Sequence, residues 1–149
     1  MKSYLIAVGT AVLMTTAAIA DGHATGDAAA GEKGFKKCKS CHMIVSNDGS
    51  VIQKGSKTGP NLYGLYSRVM GSQEGFRYSK GLVAMGEQDA AWDEAQFVAW
   101  TKDPSDFLKE SLGKRERSKM SYKLKSEKDA LNIWAYLVSV GPDAETTTN

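Results

Sequence analysis

Apolar positions fall into one solid block at the start of the chain and into helical stripes after it. From Tyr4 to Met14 nearly every residue is apolar, Lys2 is the only charge before Asp21, and small residues run on to Ala18-Ile19-Ala20. The block is shorter than the roughly 20 apolar residues a bilayer span needs, and Thr10, Thr15 and Thr16 interrupt it. Its Ala-x-Ala ending marks residues 1–20 as an export leader cleaved after Ala20; a retained membrane anchor is the competing reading. Asp21 to Ala28 is small and polar and reads as a loose tail holding His23.

Helical patterning begins at Ala29. Gly31 and Phe35 share one face, Lys33, Lys36, Lys37 and Lys39 are mostly on the exposed side, and the helix runs into Cys38. Met43 to Gly59 is rich in Ser, Asn, Asp and Gly and reads as loop. Short helices are predicted at Leu62 to Tyr66 and Tyr78 to Met85, with a firmer one from Asp93 to Lys102 that turns Phe97 and Trp100 inwards. Asp103-Pro104 stops it, because the residue before proline avoids the helical region, and Ser105 to Leu112 forms another. The last helix is the clearest: Ser126 and Asp129 have capping-box spacing, and Ala130, Ile133, Trp134, Leu137 and Val138 make one apolar face. Gly141-Pro142 ends it, and Ala144 to Asn149 is a polar tail. No strand and no repeat is evident, so the expected class is all-α.

The 149 residues fit one domain, residues 21–149, with an ordered core over about 27–142. Without Lys2 there are 18 basic and 17 acidic residues, so an electrostatic role must depend on where the charge lies. No second long apolar segment follows the leader, so the mature chain is expected to be soluble, without stable membrane insertion. Nothing in the sequence points away from a monomer. Cys38 and Cys41 are the whole thiol complement, too few for a disulfide framework.

Cys38-Lys39-Ser40-Cys41-His42 has the spacing that attaches haem c. Two intervening residues let one helical turn present both sulfurs to the vinyl groups on one side of a porphyrin, and His42 then sits under the iron as proximal ligand. A thioredoxin-like dithiol would follow a strand in a βαβ unit, and none is evident. A zinc site would need further Cys or His ligands, and only His23 remains. An export leader agrees with haem attachment outside the cytoplasm, which places the protein in the periplasm.

The second axial ligand decides between electron transfer, with both positions filled, and gas binding or peroxide chemistry, with one open. Met1 and Met14 leave with the leader, and Met43 adjoins His42. Met70, Met85 and Met120 remain. Met85 lies near Leu82 and Val83 and reads as core; Met70 sits in a Gly/Ser loop; Met120 stands in a charged stretch where no packing period asks for a methionine. That isolation favours Met120 and leaves Met70 open.

Beyond these residues the chain resembles class I cytochrome c, and within it the bacterial periplasmic cytochrome c2 type, over about Asp27 to Val140. The resemblance rests on Gly31 with Phe35, Cys38 to His42, Lys57 to Gly64 (KTGPNLYG), Gly75 to Tyr78 (GFRY), Ala91 to Phe97 (AWDEAQF), Asp103-Pro104, Lys119 to Leu124 (KMSYKL) and Ile133 to Leu137 (IWAYL). It implies several short helices wrapped around one covalent haem, with Gly31 and Phe35 packing on Ile133 and Tyr136 where the first and last helices cross. It implies Met120 as distal ligand, the Pro60 carbonyl as acceptor for the His42 ring, and Arg68, Tyr78 and Trp92 as partners of the haem propionates. Trp100 stands where many members carry tyrosine, and it can only donate, through its indole N–H.

The function these readings imply is a soluble electron carrier, not an enzyme, taking electrons from a cytochrome bc complex to a terminal oxidase or a photosynthetic reaction centre. A haem-c enzyme or gas-binding protein with a labile sixth ligand is the alternative. Lys114 to Lys125 holds six basic residues against Glu116, and Lys36, Lys37, Lys39, Lys54 and Lys57 flank the other haem-bearing segments. Such a ring of charge steers association towards acidic docking surfaces on redox proteins. Nucleic acid is not an expected partner for an exported chain of this balance.

Overall fold

The computed structural model describes residues 23–142; the leader and the C-terminal polar tail lie outside them. These residues form five α-helices and one small hairpin, with a cleft lined by α2, α3 and the segments between helices. Helix α1 (Ala28–Gly34) starts where the Asp27 carboxylate accepts from the Ala30 N–H at 3.0 Å. A 3-10 turn, Phe35–Lys37, then carries the chain to the cysteines. Helix α5 (Glu127–Ser139) is capped by Ser126, whose hydroxyl accepts from Asp129 N at 3.2 Å, as the capping-box spacing predicts.

These two helices cross at Gly31. A Cβ built there would lie 1.8 Å from the Asn132 carbonyl oxygen, so only glycine lets the backbones come this close. Phe35, with no exposed surface, sets its ring edge-on to Tyr136 at 6.0 Å. Lys37 and Asp129 pair on the outside of the same junction. The predicted crossing of first and last helices is therefore present, with Tyr136 against Gly31 and Phe35 as predicted, Asn132 also against Gly31, and Ile133 against Gly34.

Helix α2 (Lys80–Gly86) follows Ser79, α3 (Glu94–Lys102) follows Asp93, and α4 (Pro104–Leu112) follows Asp103. Each preceding residue is an N-cap with extended backbone whose side-chain oxygen takes up N–H groups of the first turn. Asp103 both ends α3 and opens α4, with Pro104 in the first turn, where its missing N–H costs nothing. Trp134, fully buried on α5, lies against Phe97 of α3 at 5.4 Å and meets Tyr66 edge-on at 6.3 Å.

Three local expectations are revised. First, the stretch Met43 to Gly59 is not all loop. It contains an antiparallel hairpin, β1 (Ile44–Val45) with β2 (Val51–Gln53), pairing Ile44 with Gln53 and Val45 with Val51 around a bulge. Strands of two and three residues are too short to show an alternating period, so the sequence hides them. The Gln53 amide donates to the Tyr136 hydroxyl at 3.0 Å and fastens the hairpin to α5. The fold remains all-α with this small addition.

Second, Leu62 to Tyr66 is a run of turns, not a helix. Gly64 and Ser67 take φ of 63° and 58°, which a right-handed helix excludes. Asn61 supplies the order instead: its Oδ1 accepts from Val45 N at 3.0 Å and Tyr63 N at 3.1 Å, and its amide donates to Val45 O at 2.7 Å. Third, the chain from His23 to Asp27 is not loose. The Trp134 indole donates to the His23 carbonyl at 2.8 Å, the Tyr66 hydroxyl pairs with His23 Nδ1 at 2.7 Å, and Thr25 donates twice to the Glu94 carboxylate. Side chains from three distant segments hold it, a tertiary effect with no local signal.

Candidate functional site

The cleft is built from the bottom by one helical turn. His42 N donates to the Cys38 carbonyl at 2.9 Å, and Cys41 N to the same oxygen at 3.0 Å, so both thiols and the imidazole come off a single turn. Cys38, Cys41 and His42 all line the cleft. Burial pushes the Cys38 thiol up to about 11, and the neighbouring Cys41 adds to the shift. A dithiol oxidoreductase needs the opposite, a thiolate stabilised near neutral pH. Among the described residues no three His, Cys, Asp or Glu side chains are grouped so as to hold a metal ion.

The imidazole is held from two sides. His42 Nδ1 lies 2.9 Å from the Pro60 carbonyl oxygen. A carbonyl only accepts, so Nδ1 carries the proton and Nε2 keeps its lone pair. Burial lowers the basicity of the ring, with the Pro60 bond acting against it, so the neutral form is favoured. Gly59 packs against the ring: a Cβ there would come within 2.4 Å of Cε1. The sequence drew attention to Pro60 but not to Gly59, although the Gly-Pro pair in KTGPNLYG carried the signal.

Met120 reaches the cleft from the segment between α4 and α5. Met70 and Met85, 1% and 8% exposed, belong to the hydrophobic core and do not line the cleft, whereas Met120 does. Its backbone is pinned. Met120 N donates to Ser118 Oγ at 3.0 Å, Ser118 N to Ser105 Oγ at 3.2 Å, and Leu124 N to the Thr101 carbonyl at 2.7 Å. Lys119 Nζ donates to the Arg77 carbonyl at 2.6 Å and closes the cleft edge beside Tyr78. The Met120 sulfur accepts from the Trp100 indole N–H at 3.2 Å. Ser105 and Thr101, which hold this segment, were not singled out by sequence, since each acts through a contact with a residue more than ten positions away.

Tyr78 and Trp92 both line the cleft, as expected, and Arg68 does not. The Arg68 guanidinium donates to the Asn61 carbonyl at 2.9 Å and also to the Tyr63 carbonyl, which ties the Leu62 turns together behind the cleft wall. Burial lowers its basicity, while its charge beside the Tyr78 hydroxyl offsets part of the rise that burial causes in that phenol. Arg68 thus bears on the cleft through Tyr78. Leu62, Leu65, Leu82 and Phe97 supply the apolar walls.

The cleft, about 260 Å³, is smaller than an open depression of about 770 Å³ on α4 and the loop after it. That depression is lined almost wholly by charged residues and by no hydrophobic side chain. Lining chemistry, not volume, picks out the site. Two thiols on one edge, an imidazole nitrogen and a thioether sulfur entering the same apolar slot fit a flat, iron-bearing macrocycle and little else. Fold and site together define a c-type cytochrome of class I.

No protein-family model matches the chain. It is 48% identical over 118 residues to the cytochrome c2 of Cereibacter sphaeroides, covering 77% of this chain and 95% of that protein. It is 47% identical over 116 residues to the cytochrome c2 of Rhodobacter capsulatus, covering 77% and 83%. The solved structure of cytochrome c2 from Rhodobacter sphaeroides superposes with a TM-score of 0.76 at 47% identity, covering 78% of this chain and 98% of that one. The chain belongs to the cytochrome c2 family. It is an electron carrier with one haem c bound covalently through Cys38 and Cys41, and it acts with redox partners.

Proposed function

We propose that the protein is a periplasmic single-electron shuttle whose iron is held by His42 Nε2 and Met120 Sδ, and that it is not an enzyme. The observation that carries this is the paired restraint: His42 and Met120 both line the cleft, and each side chain is held by a hydrogen bond, His42 through Nδ1 to the Pro60 carbonyl and Met120 through its sulfur from Trp100. When bound, the haem supplies a ferrous/ferric couple. The chain's part is to keep two soft-to-borderline donors in place through both oxidation states, so that few bonds change when an electron passes. Leu62, Leu65, Leu82 and Phe97 keep water from the cleft and disfavour the extra charge of the oxidised state. With His42 and Met120 both holding iron, a haem-c enzyme or gas-binding protein, which would need a free ligand position, is the less favoured reading.

Residues 1–20 act as a cleaved export leader, and residues 21–149 form the one domain. Among the described residues no helix is long and apolar enough to cross a membrane. Tyr78, Trp92 and, through Tyr78, Arg68 supply the polar end of the cleft where propionates would lie. Exposed Lys37 and Lys119 stand at the cleft margin, with the basic loop Lys114 to Lys125 beyond, and this charge fits acidic docking surfaces. A cytochrome bc complex as donor, and an oxidase or photosynthetic reaction centre as acceptor, meet that description; no stable oligomer is required. The test is the absorption spectrum of the oxidised protein and of Met120→Ala. The long-wavelength methionine–iron band is expected in the first and lost in the second, with a lower midpoint and ready carbon monoxide binding after reduction. An unchanged band and midpoint in Met120→Ala would sink the assignment.

A further inference from the structure

We propose that export creates a copper(II) site on this protein: once the leader is cut after Ala20, the new N-terminus reads Asp21-Gly22-His23 and chelates the metal through nitrogen. The inference rests on the leader cleavage proposed above. The donors are the Asp21 α-amino group, the backbone nitrogens of Gly22 and His23, and His23 Nδ1. A histidine in third place lets these atoms close fused chelate rings in one plane; in fourth place its imidazole no longer completes the square. A square of nitrogen donors suits Cu(II) above all, and Ni(II) after it. Copper stays oxidised throughout. It displaces one proton from the Asp21 ammonium and one from each of the Gly22 and His23 peptide N–H groups, and takes the lone pair of the neutral imidazole at Nδ1. An α-amino group ordinarily titrates at about pH 8, roughly two units below a lysine, so it yields its proton to a metal far more readily than any side-chain amine.

The fold holds the third residue of this site. His23 is exposed, so a metal can reach its ring. Its carbonyl accepts from the buried Trp134 indole at 2.8 Å, and Thr25 donates to the Glu94 carboxylate through its N–H at 2.7 Å and its hydroxyl at 2.8 Å. None of these contacts uses a chelating atom, so a loaded site stays fastened to α3 and α5. Asp21 and Gly22 precede the described residues and contribute only backbone nitrogen. One contact does compete: the Tyr66 hydroxyl pairs with His23 Nδ1 at 2.7 Å, with the two rings 4.3 Å apart between centroids, and copper must take Nδ1 from it. Rival sites are few. The chain has two histidines, and the other, His42, lines the cleft and is bonded to Pro60. Among the described residues no cluster of metal-binding side chains competes.

The test is made on the exported, haem-loaded protein, its N-terminus read by mass spectrometry. Copper(II) sulfate is titrated in glycine buffer, which suppresses weak surface binding, with calorimetry for stoichiometry and affinity and electron paramagnetic resonance for nitrogen splitting on the copper signal. One equivalent of nitrogen-bound copper is expected. It should be lost in His23→Ala, and equally lost when one alanine is inserted between Gly22 and His23, which keeps the imidazole but breaks the chelate. Tyr66→Phe frees Nδ1 and should bind about three- to tenfold more tightly, the worth of one hydrogen bond. An insertion variant that binds copper as the parent does overturns the proposal, since a lone surface imidazole then accounts for it; no gain in Tyr66→Phe means that the metal does not take Nδ1, and overturns the chelate as well. If the N-terminus is not Asp21, the cleavage after Ala20 falls and this inference with it; if it is Asp21 and copper does not bind, the cleavage stands and only the site is lost.

Discussion

Replacing Gly31 with alanine separates two accounts of the helix crossing by the sign of the effect. In a helix interior, Gly→Ala stabilises by about 1 kcal/mol through backbone entropy. At Gly31 the new Cβ would lie 1.8 Å from the Asn132 carbonyl oxygen, 2.5 Å from its carbon and 2.8 Å from Tyr136 Cβ. None of these is the end of a flexible side chain. Carbon–oxygen contacts settle near 3.3 Å, so α1 and α5 must part by about 1.5 Å at the crossing. A gap of even 0.5–1 Å forfeits about a quarter to a half of the dispersion energy of the facing atoms. Forced overpacking costs about 1–3 kcal/mol, and a backbone clash belongs at the upper end, about 3 kcal/mol. The net expectation is a loss of about 2 kcal/mol, or about 8 °C in melting temperature for a domain of this size. The control is Gly34→Ala, on the same helix at φ −66° and ψ −30°, where the Cβ meets only the Ile133 side chain, Cγ1 at 3.3 Å and Cδ1 at 3.6 Å. It is expected to be neutral or more stable by up to about 1 kcal/mol. Equilibrium urea unfolding of the oxidised, haem-loaded proteins, followed by far-ultraviolet circular dichroism, gives both values. Gly31→Ala as stable as Gly34→Ala would refute the close crossing.

Other outcomes follow from the cleft and its surroundings. Arg68→Ala strands the Asn61 and Tyr63 carbonyls and is expected to destabilise by about 1–3 kcal/mol in the same urea assay; Arg68→Lys should recover little, because one ammonium cannot span both acceptors. The Lys123 ammonium and the first N–H groups of α4 hold the Asp103 carboxyl below its ordinary value of 3.8. A lowered folded-state value means that this contribution is complete above pH 3.8 and is lost as pH falls further, so acid unfolding should set in at higher pH once Asp103→Ala removes the group. Asp103→Asn, still a good cap, should sit between them. Electron transfer to an acidic partner should slow as ionic strength rises, and Lys119→Glu at the cleft margin should slow it more than Lys80→Glu; stopped-flow rates across a salt series decide this, and a flat dependence argues against electrostatic docking.

Several parts of this protein were legible without coordinates because the cause is local. A Cys-x-x-Cys-His turn presents its donors from adjacent residues, so spacing alone carries the chemistry of attachment. The helix boundaries at Asp93, Asp103 and Ser126, and the apolar face of α5, follow from side-chain chemistry and a 3.6-residue period, and each stands within a residue or two of where the pattern put it. What only the tertiary structure decided depends on residues far apart in the chain. Met70, which the sequence left open in a Gly/Ser loop, is buried in the core and away from the cleft. The anchoring of His23 to Trp134, the hairpin held by Tyr136, the placement of Arg68 behind the cleft and the indole–sulfur contact of Trp100 all join segments that no local period connects. Sequence pattern reports what a residue does to its own backbone and face; which distant atom it meets is set by the packing of the whole chain.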